Sequence, residues 1–226
     1  MDGDRTEENR LSQPASRPLR GSTTILVIVL ATIALVGTGA WLYNREEAEI
    51  KGAKNAELLA DYGVVPPVVL TERSGRSVSL GDLKGKIWVV DFIFTNCAGT
   101  CQMMSSKLSD LQKSLRKAGD VSLVSISVDP KRDSLAQLNA FAEKYSADPG
   151  RWLFLTGRDS VVQDLAKNTF MLAVQEGVSP DDQIIHSTRF VLVDARGHIR
   201  GYYNSMENES HQKLLTDIGL LMREGA

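Results

Sequence analysis

The sequence predicts an α/β protein: a layered sheet of mixed strand direction flanked by helices, with an N-terminal hairpin and an N-terminal transmembrane helix. Three observations predict it. Residues 21–44 carry no charge. Beyond Pro67, strand-like and helix-like apolar patterns alternate. The chain then closes with a hairpin pattern and a helix, which calls for mixed strand directions. Composition agrees, since 42% hydrophobic and 24% charged residues in 226 make a folded chain rather than a disordered one. The formal net charge of −2 leaves no footprint for nucleic acid.

Ile25 to Leu42 reads ILVIVLATIALVGTGAWL. A helix over 24–43 would rise roughly 30 Å, the thickness of a bilayer's hydrocarbon core, with Trp41 and Tyr43 at one boundary. Arg10, Arg17 and Arg20 precede the span, and Arg45, Lys51 and Lys54 follow it. The arginines nearest the upstream end, and Glu46, Glu47 and Glu49 downstream, favour a cytoplasmic N-terminus. The apolar run is long for a signal peptide, so an uncleaved anchor is expected, and Asp2, Asp4, Glu7 and Glu8 argue against a mitochondrial transit peptide. The expected organisation is an arm over 1–23, an anchor over 24–43, a charged helical tether over 44–65 and a folded domain over 66–226.

Within the domain, Val68–Leu70 and Ser77–Leu80 flank Arg73-Ser74-Gly75-Arg76 as a hairpin. Ile87–Phe94 is nearly all apolar, β-branched or aromatic, the pattern of a central strand covered on both faces. Met104, Leu108, Leu111 and Leu115 mark one face of a helix that Gly119 can end. Val121–Val128 is the next strand, and Asp133 or Ser134 can cap a helix carrying Leu135, Leu138, Phe141 and Tyr145. A short strand over Trp152–Leu155 precedes a helix with Val161, Val162 and Leu165. Phe190–Val193 and Ile199–Tyr203 pair about Asp194-Ala195-Arg196-Gly197, and Leu214, Leu215, Ile218 and Leu221 mark the closing helix.

The chain's two cysteines, Cys97 and Cys101, fall between the apolar strand and the helix after it. Open α/β sheets build sites at such carboxyl ends, and a helix N-terminus favours the thiolate. Thiolate is the nucleophile of disulfide exchange and a soft ligand for copper(I) or zinc. Free cysteines also pack as small hydrophobes, but two so close at a strand–helix junction favour chemistry. Of the three histidines, His198 follows a turn and His211 lies in a polar stretch, so both read as surface residues. His186 follows Ile184-Ile185 and stands just before a strand; by itself it reads more readily as a packed histidine than as a ligand.

DFIFTNCAGTC, VSISVDPKRD and IIHSTRFVLVDARG together resemble the Sco/SenC family of membrane-anchored copper proteins, over roughly Pro66 to Met222. The resemblance implies a thioredoxin-like fold and one copper ion per chain, as copper(I) or copper(II), held by Cys97, Cys101 and His186. It implies service to the binuclear copper centre of cytochrome c oxidase, by delivering copper to the receiving subunit, reducing that subunit's cysteines, or both. Another copper chaperone or a thiol reductant is then a further partner. The expected location is single-pass in a bacterial inner membrane, with the domain on the periplasmic side. Two thiolates and an imidazole suit copper(I), and the metal-free pair can cycle between dithiol and disulfide.

The sequence departs from the family where proline usually follows the second cysteine and often the first: Gln102 and Ala98 stand there. Asp91, six residues before Cys97 in an apolar strand, matches the spacing of the buried aspartate of thioredoxins, which implies a proton relay to the second thiol; a structural carboxylate at a partly wet position is the alternative. Asp129 belongs to a loop found near the metal in the family, and a turn or helix cap explains it otherwise. Met103 and Met104 are soft donors, although Met104 falls on the apolar stripe. The family implies a metallochaperone rather than a turnover enzyme. A thiol–disulfide oxidoreductase is the second reading, opposed by C-x-x-x-C spacing and by the lack of proline near 185–188. The pattern of a peroxide reductase is not found.

Overall fold

The computed structural model describes residues 20–57, 59–97, 99–117, 121–172 and 187–224. The chain divides into two compact units, Met1–Ala48 and Glu49–Ala226. Helix α1 runs Arg20–Glu57, so the charged stretch after the apolar run continues the same helix. Its segment Ile25–Glu47 is long and apolar enough to cross a membrane, and none of it is buried by protein. Its two threonines bond internally: Thr32 Oγ1 donates to Ile28 O at 2.8 Å and Thr38 Oγ1 to Ala34 O at 2.6 Å. That removes two hydroxyls which hydrocarbon would otherwise leave unpartnered.

The second unit is built on one seven-stranded sheet in the order β2-β1-β5-β4-β3-β6-β7. The strands are β1 (Val69–Glu72), β2 (Ser77–Ser79), β3 (Ile87–Ile93), β4 (Val121–Ser127), β5 (Trp152–Thr156), β6 (Arg189–Val193) and β7 (Ile199–Asn204). β3, β4 and β5 are parallel; β1 lies antiparallel to β5 and β6 antiparallel to β3, and the hairpins β1–β2 and β6–β7 finish the edges. The helices are α2 (Thr100–Ser114), α3 (Leu135–Lys144), α4 (Asp159–Asp164) and α5 (Asn208–Glu224).

Every residue of β3 and β4 is buried. Successive side chains of a strand point to opposite faces, so Val89 and Ile93 pack with Met104 and Leu108 of α2, Phe141 of α3 and Ile218 of α5. Trp88, Val90 and Phe92 pack on the other side with Val162, Leu165 and Phe170. Phe170 meets Trp88 and Phe92 edge-on, with ring centroids 6.3 and 5.4 Å apart.

Several local details differ from the sequence reading. Leu80 leaves the strand and opens a short 3₁₀ turn that Ser79 and Asp82 cap reciprocally. Of the two candidate caps for α3, Ser134 takes the role with Gln137, and Asp133 turns away. α4 is shorter than expected and passes into a π turn, Leu165–Thr169. Gly119 lies outside the described residues.

Residues 59–65, the end of the segment read as a tether, dock on the last hairpin. Tyr62 N donates to Ile199 O and Val65 N to Gly197 O, each at 2.9 Å. Arg200, 6% exposed, donates through Nε to Ala60 O at 3.1 Å and through NH2 to Leu59 O at 3.0 Å. Its NH1 lies 2.9 Å from Asp194 Oδ2, while Asp194 Oδ1 accepts from the N–H groups of Arg196 and His198 at 2.9 Å each. One buried ion pair thus carries both the hairpin turn and the incoming strap. Arg200→Ala is expected to lower stability by about 3–5 kcal/mol in urea unfolding, and to open residues 59–65 to chymotrypsin. A loss below about 1 kcal/mol, within the range of an exposed pair, would show that the pair does not anchor the strap.

Candidate thiol and metal site

The site begins where β3 ends. Val128 N donates to Ile93 O at 2.8 Å, so the pairing with β4 continues to the last strand residue. The loop that follows is held by Asp133, itself 1% exposed. Thr95 N donates to Asp133 Oδ1 and Oδ2 at 3.1 and 3.2 Å, Thr95 Oγ1 to Oδ1 at 2.6 Å, and Ser127 Oγ to Oδ2 at 2.6 Å. Cys97 N then reaches back to Phe94 O at 3.3 Å.

Cys97 and Cys101 are both free thiols and both buried. Gly99 occupies the N-cap position of α2 and offers no side-chain acceptor. The Cys97 sulfur fills that vacancy, accepting the Cys101 N–H at 3.4 Å. The two thiols differ in acidity. Burial opposes ionisation of Cys97, but donation from the N–H groups of Gly99, Cys101 and Thr100 and from the Cys101 thiol outweighs it, and its pKa falls below the usual thiol value. Cys101 is pushed far above the usual value, first by burial, then by its hydrogen bond to the Cys97 sulfur and by the nearby charges of Cys97 and Asp91, against one lowering contact at Phe94. Of the two, Cys97 is the thiol that ionises more readily, and Cys101 is the one that holds its proton.

Gln102 ties the loop to the neighbouring helix. Its Nε2 donates to Cys97 O at 3.1 Å, and its Oε1 accepts from Lys144 Nζ of α3 at 3.2 Å. Met104 is fully buried and Met103 is 52% exposed, so core packing accounts for Met104. Asp129 is buried, pairs with Arg132, and receives no role as a cap of α3.

Asp91 is fully buried, which removes the alternative of a partly wet strand position. It lies on the face of β3 that carries Val89 and Ile93, the face α2 covers. Directly opposite in the parallel register is Ser125, whose Oγ donates to Asp91 Oδ1 at 2.6 Å and accepts from Trp152 Nε1 at 2.9 Å. Asp91 Oδ2 has no hydrogen-bond partner. Burial pushes the carboxyl up to about 7, against the lowering effect of the Ser125 hydroxyl.

His186 lies outside the described residues, as does Ala98. The chain after His186 is described: β6 runs antiparallel to β3 with Val90 opposite Val191. Ser187 and Thr188 therefore enter the sheet at the edge where β3 runs out toward Cys97. Among the described residues, no group of three His, Cys, Asp or Glu side chains could hold a metal ion. His198 pairs with Asp61 at 2.8 Å. His211 is half-buried rather than a free surface residue; its pKa is lowered by burial and by Lys107, with Asp110 opposing.

Two positions escaped the sequence reading: Ser125 as the partner of Asp91, and Asp133 as the clamp on Thr95. The available signal was the pair of small polar residues at two-residue spacing in β4, Ser125 and Ser127, which must share a face.

Comparison with known proteins gives a consistent result. The SCO1/SenC family model matches residues 58–222. The SCO1 protein homolog of Bacillus subtilis is 38% identical over 156 residues, covering 68% of this chain and 80% of that protein. The structure of BsSco, a member of the Sco family of cytochrome c oxidase assembly proteins in which a disulfide switch was identified, matches at TM-score 0.63 and 36% identity, over 73% of this chain and 95% of that one. The fold is shared further with Bradyrhizobium japonicum ScoI, solved with copper bound, at TM-score 0.56 and 24% identity over 68% of this chain and 98% of that one.

Two measurements follow from the geometry. At pH 7, iodoacetamide is expected to label Cys97 at least about ten times faster than Cys101, read by mass spectrometry of peptides; equal rates would show that the N–H groups do not distinguish the thiols. The second concerns Asp91, whose ordinary value is 3.8 and whose folded value is about 7. Between those values the folded state binds the extra proton. Its stabilising contribution is complete below about pH 4 and is lost as pH rises toward 7, a change on the order of 4 kcal/mol. Urea unfolding across pH 4 to 8 should show this decline in the wild type, and Asp91→Asn should flatten it. An unchanged slope in Asp91→Asn would assign the pH dependence elsewhere.

Proposed function

Because the chain belongs to the SCO1/SenC family, we propose that it is a membrane-anchored copper metallochaperone acting in the assembly of cytochrome c oxidase. One observation carries the reading: the two thiols are paired at the end of the central strand, with the Cys101 N–H on the Cys97 sulfur, inside the region that matches the family. Two sulfur donors side by side suit copper(I). His186 supplies the third ligand, consistent with Ser187 and Thr188 entering at the same edge of the sheet. The fold accommodates copper in ScoI. Copper is cargo: a thiolate of the receiving oxidase subunit displaces Cys97, Cys101 and His186 stepwise, and the ion passes by ligand exchange with no change in its charge.

The anchor is the apolar part of α1, with the N-terminal arm in the cytoplasm and the folded domain on the outer side of a bacterial inner membrane. That side is oxidising, which suits a receiving site whose cysteines arrive as a disulfide. The acidity difference between the thiols favours a second reading, reduction of that disulfide. The Cys97 thiolate attacks one sulfur of the partner disulfide, giving a mixed disulfide and a partner thiolate that takes up a proton. Cys101 passes its proton to Asp91 and attacks Cys97, leaving a Cys97–Cys101 disulfide and a second partner thiol. Two electrons pass from this chain to the partner.

Copper titration of the reduced chain in mild detergent separates the readings. The wild type is expected to bind one copper per chain with copper(II)–thiolate absorption in the visible. Cys97→Ser and Cys101→Ser should lose affinity by about a hundredfold or more, and His186→Ala should lose affinity or shift the band. Absence of copper binding at sub-micromolar levels, with disulfide exchange intact and indifferent to His186, would leave the reductase reading alone.

A further inference from the structure

Asp133 is a buried carboxylate that no capping role explains, because α3 is capped by Ser134. A turn folds it inward: Arg132 N and Asp133 N both donate to Asp129 O, at 3.1 and 2.9 Å. The carboxylate then bridges two elements. One oxygen accepts from the Ser127 hydroxyl at the end of β4, and both accept from the Thr95 backbone, with the Thr95 hydroxyl at 2.6 Å from Oδ1. Thr95 stands two residues before Cys97, whose own N–H is tied to Phe94 O.

We propose that Asp133 is a positioning residue of the thiol pair: by locking the Phe94–Cys97 loop to the end of β4, it holds Cys97 and Cys101 in the arrangement of the dithiol and opposes closure of their disulfide. The Cys101 N–H contact on the Cys97 sulfur at 3.4 Å depends on where the loop stops. Forming the disulfide takes the Cys97 sulfur from that N–H contact to the Cys101 sulfur, and the position of the loop sets how readily the two sulfurs meet. The loop is restrained by charge-assisted hydrogen bonds in a dry setting, the strong kind. Releasing that restraint lowers the work of closing the disulfide. The inference deepens the thiol chemistry proposed above and rests on that reading of the pair as the working site.

The test uses the full chain in detergent, free of metal, equilibrated with glutathione buffers. One oxidised glutathione takes two electrons from the dithiol and leaves as two glutathione thiols, while the chain gains the Cys97–Cys101 disulfide. Thr95→Val removes one hydroxyl and is expected to shift the equilibrium constant roughly threefold toward disulfide. Asp133→Asn, which removes the charge, is expected to shift it roughly tenfold. Thr95→Ser restores the hydroxyl and should stay within about twofold of wild type, and the double variant should not exceed Asp133→Asn, since both changes act on one contact. Urea unfolding of each variant reports stability separately. Equilibrium constants within about twofold of wild type in folded Thr95→Val and Asp133→Asn would overturn the proposal and leave Asp133 a stability residue. Should Asp133→Asn fail to fold, Thr95→Val and Thr95→Ser decide alone. Because no copper is present, a wild type that fails to bind copper would sink the metallochaperone reading without touching this result.

Discussion

A central strand buried on both faces is the constraint from which the site is built. β3 has parallel β4 on one side and antiparallel β6 on the other, with α2, α3 and α5 over one face and α4 over the other. Such a strand gives its backbone no freedom, because every N–H and C=O along it must stay paired. Its carboxyl end is therefore a fixed point. The strap over 59–65 and the Asp194–Arg200 pair lend support from the far hairpin, by holding β6 and β7 to the chain that enters the domain.

The polar groups of this interior follow one pattern. Asp91 and Ser125 sit opposite each other on the α2 face, and Ser127 follows on the same face of β4. Asp133 joins Ser127 to Thr95. Buried carboxylates are tolerated here for different reasons. Asp133 receives hydrogen bonds on both oxygens, whereas Asp91 has one oxygen unpartnered and keeps its proton to about pH 7. In a medium of low polarity the first is a rigid joint and the second favours its protonated form.

Burial and hydrogen bonding act on the two sulfurs unequally. Cys97 sits where the unpaired N–H groups of α2 point, and Cys101 sits inside the helix with a carboxyl and a neighbouring thiol as company. Gln102 adds a link between this loop and Lys144, at the position where the family resemblance led to an expectation of proline. A proline there would supply stiffness through its ring; in this chain a pair of side-chain hydrogen bonds supplies it instead. The apolar part of α1 carries none of this chemistry; its threonines bond to its own backbone, and it is long and apolar enough to cross a membrane.

The sequence by itself determined the apolar span, the strand–helix alternation, the doubly covered β3, and the cysteine pair at its end. Each of these is written in local periodicity or in neighbouring residues, so nothing distant needs to be known. The three separated motifs of the resemblance led to the Sco/SenC family in the same way. Only the tertiary structure decided that Ser125 faces Asp91, that Asp133 leaves its helix to hold Thr95, and that residues 59–65 belong to the domain surface. Those contacts join residues 34, 38 and about 140 positions apart. An aspartate before a serine at a helix start reads as a cap, because capping is the local option for both residues. Which of the two turns inward depends on the Thr95 N–H and hydroxyl at the end of the adjacent strand, which need an acceptor, and a buried donor left without one is the larger penalty.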